Sequence, residues 1–381
     1  MKKTAKLIAA SCLALLAGVS CSTQTGSGLT ASGLDPKNFV DTVGGKPVAL
    51  YTLTNDNGME VCVTNFGGRI VSVMVPDKNG KMQDVVLGHD SIADYENIDG
   101  NFGALIGRYG NRIEKGKFEL MGNTYNLPIN NFGHSLHGGP QGFHNQVWTA
   151  NQTDKSTIEL TLLSKDGDAG YPGNLNVKVV YKLTADNAID ITYTATTDKP
   201  TVVNLTNHSY WNLGGDPSKD ILDNELMVDA DEITPIDSTF MTHGDFMKVD
   251  GTPFDFRKAK TIGQDINAND EQLKNGHGYD HNFVLNTKGD VSKVSASVYS
   301  PKTGIVMDVF TTEPGVQIYV GNFLDGKVVG KKGIAYPYRS AIALETQHYP
   351  NSPNCKTYPS TVLKPGETYS SHTAYKFSVR K

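Results

Sequence analysis

The chain has little cysteine and lacks the short motifs that signal common metal and nucleotide sites. Only four cysteines occur among 381 residues, and no Cys-x-x-Cys or His-Glu-x-x-His spacing is present. No Gly-x-Gly-x-x-Gly or Gly-Lys-Ser/Thr spacing occurs either. These absences leave no sequence case for a dedicated transition-metal site or for a loop that cradles phosphates.

A strong charge of one sign is also absent. The formal net charge is -5 and the Lys and Arg residues are scattered along the chain, which argues against a nucleic-acid partner. Beyond the N-terminal segment, Leu-rich or Ala-rich runs are few, whereas the 39 Gly, 17 Tyr and 14 Phe favour strands and turns over helices.

The N-terminus resembles a bacterial lipoprotein signal. Basic residues up to Lys6 precede an apolar run, residues 7–19, that is short for a membrane span, and small residues lead to Cys21. We predict cleavage before Cys21 and acylation of its thiol, so that a lipid anchors the exported protein to a membrane in the periplasm.

This prediction divides the chain into a signal peptide, residues 1–20, a flexible polar tether, residues 21–37, and one domain, residues 38–381. Gly18 stands where lipoprotein signals usually carry Leu, so ordinary signal-peptidase cleavage after Ser20 remains an alternative. Both alternatives predict that the mature protein leaves the cytoplasm.

From Val48 onward, apolar and polar residues alternate with period two, and turn-forming residues interrupt the pattern at short intervals. The clearest alternating runs are residues 156–162, 176–183, 188–194 and 293–299. One short helix is indicated near residues 270–274, and no internal repeat is visible. The pattern predicts an all-β fold, a single large antiparallel β-sandwich.

Cys62 and Cys355 are the cysteines expected to remain unmodified in the mature domain. An oxidising compartment would allow them to pair. Cys62 lies in an apolar run between Val61 and Val63, however, and is expected to pack as a small hydrophobic residue.

The segment richest in candidate chemistry is residues 204–213, which surrounds His208 with amides, a hydroxyl and two aromatic rings. Its Asn side chains and Ser209 could bond the hydroxyls of a sugar, and Tyr210 and Trp211 could cover its C–H surfaces. His208 could move a proton near neutral pH. Taken alone, the segment fits a structural histidine at a strand end equally well.

Two glycine-rich segments add polar candidates. Residues 103–113 contain Arg108 and Arg112, which alone would read as surface arginines at a tight turn. In residues 131–139, two glycines follow His137 and permit close backbone approach, so His137 is a better site candidate than His134.

Two further segments carry ionisable groups. His277, Asp280 and His281 are possible metal ligands, but their spacing requires a helix and the flanking glycines indicate a loop. Glu345 ends an apolar strand-like run, so it is either a buried structural charge or a working base whose proton affinity burial raises.

Together these segments resemble the aldose 1-epimerases, or galactose mutarotases, in the order of that family from about Asn38 to the C-terminus. The matching motifs are residues 106–113 (IGRYGNRI), 136–139 (LHGG), 204–210 (NLTNHSY), 278–282 (GYDHN) and 344–347 (LETQ). The resemblance implies the galactose mutarotase-like supersandwich, a cofactor-free interconversion of the α and β anomers of free aldohexoses, and a monomer or weak dimer.

The resemblance also implies roles for single residues. Glu345 matches the general base and His208 the general acid. The residues that match substrate-binding positions are Arg112, His137, Asp280 and Gln317, with Asn111 as a further contact. No metal is implied. Three rivals remain: a non-catalytic sugar-binding module, a hexose-phosphate epimerase, and a metal-dependent hydrolase built on the histidines.

Overall fold

The structure is a computed structural model that describes residues 28–98 and 100–381. The predicted signal peptide and the predicted lipidation site, Cys21, lie outside the described residues. Within these two ranges, no helix combines the length and the apolar character that crossing a membrane requires.

The described residues form 28 strands, which we number in chain order. They are β1 (Asp41–Val43), β2 (Lys46–Val48), β3 (Leu50–Thr54), β4 (Glu60–Thr64), β5 (Arg69–Pro76), β6 (Met82–Asp84), β7 (Ala104–Ile106), β8 (Arg112–Ile113), β9 (Lys117–Leu120), β10 (Asn123–Asn126), β11 (Ser135–Leu136), β12 (Thr149–Asp154), β13 (Thr157–Ser164), β14 (Leu175–Leu183), β15 (Ala188–Thr197), β16 (Thr201–Val202), β17 (Thr206–His208), β18 (Glu225–Val228), β19 (Ala230–Thr234), β20 (Met247–Lys248), β21 (Lys260–Thr261), β22 (Asp280–Leu285), β23 (Ala296–Tyr299), β24 (Ile305–Thr311), β25 (Gly315–Tyr319), β26 (Ala343–Gln347), β27 (Val362–Leu363) and β28 (Tyr369–Val379).

Three sheets contain most of these strands. The largest has nine strands in the order β12-β13-β14-β15-β28-β24-β23-β18-β21, the second has five, β20-β19-β22-β25-β26, and the third has four, β3-β4-β5-β6. Pairing within all three is antiparallel. The predicted all-β antiparallel architecture is therefore confirmed.

Period-two alternation decides which face of the nine-stranded sheet is buried. In β14, Leu175, Val177 and Val179 are buried, whereas Asn176 and Lys178 between them are exposed. Side chains of a strand point alternately to opposite faces, so this pattern covers one face with the core and leaves the other in water. The four runs predicted from alternation coincide with β13, β14, β15 and β23 to within a few residues.

The five-stranded sheet is buried more completely. Every residue of β25 and of β26 is buried, because one face packs on the nine-stranded sheet. There Tyr375 donates its hydroxyl to the carbonyl oxygen of Leu344 at 2.7 Å, and the hydroxyls of Thr346 and Thr373 lie 2.6 Å apart. The opposite face carries the polar residues of the site.

The described residues also form two short α-helices, α1 (Ile92–Asn97) and α2 (Glu271–Asn275), and six short 3-10 helices. Asp270 caps α2 by accepting from the backbone N–H groups of Gln272 and Leu273, and this helix confirms the one predicted. Helix α1 was missed, because it buries only Ile92 and Tyr95 and so offers too short a helical pattern to recognise.

The predicted tether is corrected by the structure. Ser32 and Leu34 are buried, and Asp35 caps a short 3-10 helix, Pro36–Phe39, that buries Phe39. The Ser32 hydroxyl donates to that of Ser72 at 3.0 Å. The prediction of flexibility up to residue 37 is therefore wrong for this stretch, because its apolar side chains complete a hydrophobic cluster of the domain.

The two cysteines left open by the sequence are both free and buried. Cys62 lies in β4 and belongs to the same buried cluster as Leu34, as expected for a small hydrophobic residue. Cys355 packs with Tyr349 and Tyr358 in a separate small cluster.

Candidate active site

One wall of the candidate site is the polar face of the five-stranded sheet. Gln317 on β25 lies directly opposite Glu345 on β26 and opposite Asn282 on β22. Residues opposite each other on paired strands share a face, and Asp280 shares the face of Asn282 because it lies two residues earlier. The register therefore presents Asp280, Gln317 and Glu345 to one cleft.

His208 faces Glu345 across this cleft. It is the last residue of β17, which pairs with β7 and packs beside β26. The His208 Nε2 atom lies 3.4 Å from the Glu345 Oε1 atom, and both side chains are buried. The remaining polar atoms, His208 Nδ1 and Glu345 Oε2, are buried with no hydrogen-bond partner among the described residues. Such atoms are costly unless a ligand supplies the missing bonds.

Burial shifts the proton affinities of this pair in opposite directions. It raises the pKa of Glu345 well above its ordinary value, an effect that the charge of Asp280 increases and that of Arg112 opposes. Burial lowers the pKa of His208 to about 4. Both shifts favour the uncharged forms, so above the pKa of His208 and below that of Glu345 the two groups hold one proton between them, and in the empty site this proton lies on Glu345.

Arg112 begins β8 and brings a buried positive charge to the site. Its Nε and Nη2 atoms donate to the Asn131 Oδ1 atom at 3.1 and 2.9 Å, and its guanidinium lies 4.8 Å from the ring centroid of Phe240. Burial lowers the pKa of Arg112, and the charges of Asp280 and Glu345 oppose this shift. A guanidinium stays protonated under such conditions, so Arg112 is a fixed cation beside two carboxyl groups.

A row of amides orients Asp280. The Gln317 Nε2 atom donates to the Asp280 Oδ1 atom at 2.7 Å, and the Gln347 Nε2 atom in turn lies 3.4 Å from the Gln317 Oε1 atom. Burial raises the pKa of Asp280, whereas Arg112 and the bond from Gln317 lower it. These bonds determine that the Oδ1 atom of Asp280 accepts a hydrogen bond from the protein.

Asn111 and His137 lock each other in place at the ends of β8 and β11. The Asn111 N–H donates to the His137 Nδ1 atom at 3.0 Å, and the His137 N–H donates to the Asn111 carbonyl oxygen at 3.0 Å. Burial lowers the pKa of His137 well below its ordinary value. The ring is therefore neutral and carries its proton on Nε2, where it can donate to a ligand. It stands perpendicular to the ring of His208, with centroids 5.3 Å apart.

Gly138 shows why glycine follows His137. A Cβ atom there would lie 2.1 Å from the carbonyl oxygen of Gly107, and its φ is 80°. The glycine therefore lets the His137 loop pack on the Arg108 loop. The glycines were predicted to permit close approach to a ligand at His137, and at Gly138 the close approach is to the backbone of Gly107.

The segment 204–213 has a different role from the one predicted for most of its members. The Asn204 side chain donates to the carbonyl oxygens of Gly110 and His348, and the Ser209 hydroxyl donates to Asn207. These groups hold strands together. Trp211 is fully buried against Tyr375 and Phe377 and does not line the cleft. Tyr210 does lie beside the site, because the centroid of its ring is 4.9 Å from that of His208.

Arg108 is a buried structural residue. Its guanidinium donates to the carbonyl oxygens of Pro172 and Gly173 and to the hydroxyl of Ser164. The alternative of a surface arginine at a turn is wrong, because these acceptors enclose it. Arg108 also contributes no charge to the cleft.

The possible metal ligands at residues 277–281 do not come together to form a metal site. The His281 Nδ1 atom accepts from the Asp280 N–H, and its Nε2 atom lies 3.2 Å from Gln272, away from the Asp280 carboxyl group. Among the described residues, one group of three side chains has the geometry to hold a metal ion. It consists of His137, His208 and Glu345, whose ligand atoms lie within 4.8 Å of one another.

Two residues of the site were not predicted from the sequence. Asn131 accepts hydrogen bonds from the Arg112 guanidinium, and Gln347 contacts the side-chain oxygen of Gln317. The signal for Gln347 was present, because a residue two positions after Glu345 on a strand shares its face. Asn131 and Phe240 gave no such signal, since their contact with Arg112 arises between loops far apart in the chain.

Comparison with known proteins gives matches over most of the chain. The family model described as Aldose 1-epimerase matches residues 49–376. Galactose mutarotase of Rattus norvegicus is 41% identical over 336 residues, which cover 88% of this chain and 96% of that protein. Aldose 1-epimerase of Escherichia coli (strain K12) is 42% identical over 336 residues, 87% of this chain and 96% of that protein.

Solved structures show the same likeness. A GalM/aldose epimerase homologue from C. elegans has a TM-score of 0.80 and 31% identity, and the match covers 88% of this chain and 100% of that one. Galactose 1-epimerase from Lactobacillus acidophilus NCFM has a TM-score of 0.79 and 29% identity, covering 90% and 97%. The family match at residues 49–376 includes every residue of the cleft described above.

Proposed function

The chain belongs to the aldose 1-epimerase family, and on this premise we propose that its cleft interconverts the α and β anomers of free aldohexoses such as glucose and galactose. The observation that carries the proposal is the buried pair of Glu345 and His208, 3.4 Å apart, each with one polar atom that has no partner among the described residues. A sugar placed there would supply the missing bonds.

The chemistry needs one proton removed and one delivered. Glu345 takes the proton of the C1 hydroxyl while His208 gives a proton to the ring oxygen; the bond from C1 to the ring oxygen breaks and C1 becomes an aldehyde. Rotation about the C1–C2 bond and the reverse transfers then close the ring on the other face. Burial favours the shared proton on Glu345 in the empty site, so the step requires that this proton pass to His208 across their 3.4 Å contact when the sugar binds. The pair then holds one proton in total before and after, and each transfer contributes about 10²–10⁴ in rate.

The other polar residues bind without selecting one anomer. Arg112, Asp280 and Gln317 offer charge-assisted and amide hydrogen bonds to hydroxyl groups away from C1. His137 donates from Nε2, and Asn111 keeps that histidine in the required tautomer. Because these groups bind the part of the sugar that lies away from C1, the configuration at C1 is free to invert.

The rival functions are weaker on specific grounds. A hexose-phosphate epimerase would need further basic groups, but the guanidinium of Arg108 is enclosed by protein acceptors. A pure binding module would not need an acid and a base. The group of His137, His208 and Glu345 has the geometry to hold a metal ion, and assays with a chelator and with added divalent ions would test a metal-dependent reaction.

We also propose export to the periplasm with a lipid on Cys21, supported by the N-terminal residue pattern. There the enzyme would equilibrate anomers before sugar uptake, as a monomer or weak dimer. Mass spectrometry of the mature N-terminus tests this. An acylated Cys21 supports the proposal, and an unmodified Cys21 at the N-terminus indicates ordinary cleavage after Ser20.

The activity is tested by polarimetry of freshly dissolved α-D-glucose and α-D-galactose with the wild type and with Glu345→Gln. We expect the wild type to accelerate the approach to anomeric equilibrium and the variant to lose most of that acceleration. Saturable sugar binding without acceleration by the wild type would indicate a binding module and reject the proposed reaction.

A further inference from the structure

Arg69 is a fully buried arginine to which the proposed reaction gives no part. It begins β5 and is 1% exposed. Burial lowers the pKa of Arg69 to about 10, so the guanidinium is protonated at neutral pH. A buried charge is costly unless hydrogen bonds stabilise it. The groups that Arg69 binds therefore indicate what its charge supports.

The guanidinium of Arg69 joins two loops. Its Nη1 atom donates to the carbonyl oxygens of Phe102 and Gly100 at 3.0 and 3.3 Å, and its Nη2 atom donates to the carbonyl oxygen of His144 at 2.9 Å. Gly67 makes room for these bonds, because a Cβ atom there would lie 2.3 Å from the His144 carbonyl oxygen and 2.9 Å from the Arg69 Nε atom. The planar fork of the guanidinium therefore fixes the distance between the two loops.

These two loops lie at opposite ends of β7. The loop that contains Phe102 leads directly into the strand. His144 lies in a short 3-10 helix that begins with Phe143, and the Phe143 N–H donates to the carbonyl oxygen of Gly107, the residue that follows β7, at 3.0 Å. Arg69 is therefore bonded to the segments that pack at both ends of this strand.

Strand β7 and its preceding loop support His208. The strand pairs with β17, and its first residue, Ala104, lies opposite His208. The Gly103 N–H donates to the His208 carbonyl oxygen at 3.0 Å. The ring centroid of Phe102 is 4.6 Å from that of Tyr210, and the Tyr210 ring lies against the ring of His208. Both the backbone and the ring of His208 thus depend on the loop that precedes β7.

Arg108 is a buried guanidinium without this connection. It is 2% exposed, and it also donates to backbone carbonyl oxygens, those of Pro172 and Gly173. These acceptors precede β14, which pairs with β13 and β15 and not with β7 or β17. Arg108 is therefore a matched reference for the effect of removing a buried guanidinium as such.

We propose that Arg69 is a positioning residue for His208, which keeps the imidazole where proton transfer to the ring oxygen requires it by bonding the loops at both ends of β7. The inference rests on the proposed function, in which His208 is the acid. Arg69 is enclosed by protein and acts only through His208. The sugar-binding residues Arg112, Asp280 and Gln317 lie on other strands, β8, β22 and β25, so binding of the sugar does not depend on it.

The test is polarimetry of α-D-galactose with the wild type, Arg69→Met and Arg69→Lys. Methionine donates no hydrogen bond, so kcat of Arg69→Met should fall about ten- to a hundredfold, the effect of misplacing a catalytic group by up to about 1 Å. KM should stay within about twofold. Lysine keeps the charge but lacks the planar fork, so Arg69→Lys should recover most of the activity, with kcat about two- to fivefold below the wild type and KM unchanged.

Arg108→Met and Arg108→Lys are the matched controls. Thermal unfolding of all four variants measures the loss of stability, which should be similar at the two positions, whereas kcat of the Arg108 variants should stay within about twofold of the wild type. Equal losses of kcat at the two positions, or a rise in KM without a fall in kcat at Arg69, would overturn the proposal. If the methionine variants do not fold, the two lysine variants decide by the same comparison.

A wild type that does not accelerate anomeric equilibration would reject the proposed function, and NMR then tests the positioning by itself. Imidazole ¹H–¹⁵N correlation spectra, assigned with His208→Gln, report the ring of His208 without any need for activity. Shifted or broadened His208 signals in the Arg69 variants, with unchanged signals in the Arg108 variants, support the role of Arg69. His208 signals that are the same in all variants reject it.

Discussion

Two pairs of a buried glutamate and a histidine lie at β25 and β26, and they are built differently. Glu313 precedes β25, and its carboxylate contacts His348 Nδ1 at 2.6 Å and accepts from the hydroxyl of Ser371. Glu345 and His208 stand 3.4 Å apart, and each has a buried polar atom without a partner among the described residues. The first pair is satisfied by the protein. The second pair is incomplete, which is the state expected of groups that await a substrate.

The comparison shows that burial of a carboxylate does not by itself indicate catalysis. Glu313 and Glu345 are each 2% exposed. The two pairs differ in which face of the five-stranded sheet their side chains point to. His348 and Thr346 face the nine-stranded sheet, whereas Glu345 and Gln347 face the cleft, because side chains alternate along β26.

Glu345→Gln should have the largest effect, because the amide cannot accept the C1 hydroxyl proton. We expect kcat to fall by about 10²–10⁴, while the melting temperature changes little or rises as a buried carboxyl group is replaced by a neutral isostere. Polarimetry and thermal unfolding measure the two quantities. A variant that kept wild-type kcat would show that Glu345 is not the base.

The pH dependence of kcat/KM should report the ionisation of His208 and Glu345. Below the His208 pKa of about 4, both groups carry a proton and no base remains, so kcat/KM should fall about tenfold per pH unit as pH decreases. Above the raised pKa of Glu345, the pair has lost its proton and lacks an acid. Circular dichroism at each pH controls for unfolding. An acid limb centred near the ordinary histidine value would contradict the depressed pKa of His208.

Glu313→Gln should separate the second pair from the first. Loss of the charge weakens the contacts with His348 and Ser371, so we expect the free energy of unfolding to fall by about 1–3 kcal/mol. Chemical denaturation measures this change. Activity per folded molecule should remain within about threefold, since the carboxylate faces away from the cleft. A loss of kcat comparable to that of Glu345→Gln would show that the two pairs act together.

Asp280→Asn should have the smallest effect. Its amide oxygen can still accept from Gln317, but the attraction to Arg112 is lost, so KM should rise about fivefold with kcat nearly unchanged. Steady-state polarimetry of both constants tests this. A fall in kcat at constant KM would instead give Asp280 a part in the proton transfers.

Much of the fold could be predicted from local pattern. The alternation of apolar and polar residues located β13, β14, β15 and β23. This alternation is present there because one face of the nine-stranded sheet is in water. It was less informative for β25 and β26, which are buried on both faces. Gln317 shows the consequence: only the family resemblance indicated it, and the structure buries it against Asp280.

The candidate site could be predicted only as a set of ordered motifs. These motifs contain Glu345, His208 and four of the five binding residues, and the family resemblance as a whole added Gln317; the structure brings all seven to one cleft. What each neighbouring polar residue does was not predictable. Trp211 turns into the core, and Arg108 is enclosed by carbonyl oxygens, because these outcomes depend on contacts with strands and loops distant in sequence.

Local pattern was enough to predict the antiparallel β architecture and the residue types available for acid-base chemistry, since period-two alternation and side-chain pKa values are local properties. Only the tertiary structure decided which residues use that chemistry. Pairing of β25 with β26 places Gln317 opposite Glu345, and packing of β17 beside β26 brings His208 within reach. Packing between the five-stranded and nine-stranded sheets brings Ser371 to Glu313, and loops from three distant segments bring Phe132, Phe240 and Phe323 together. Proximity between distant segments arises from folding, and local pattern does not encode it.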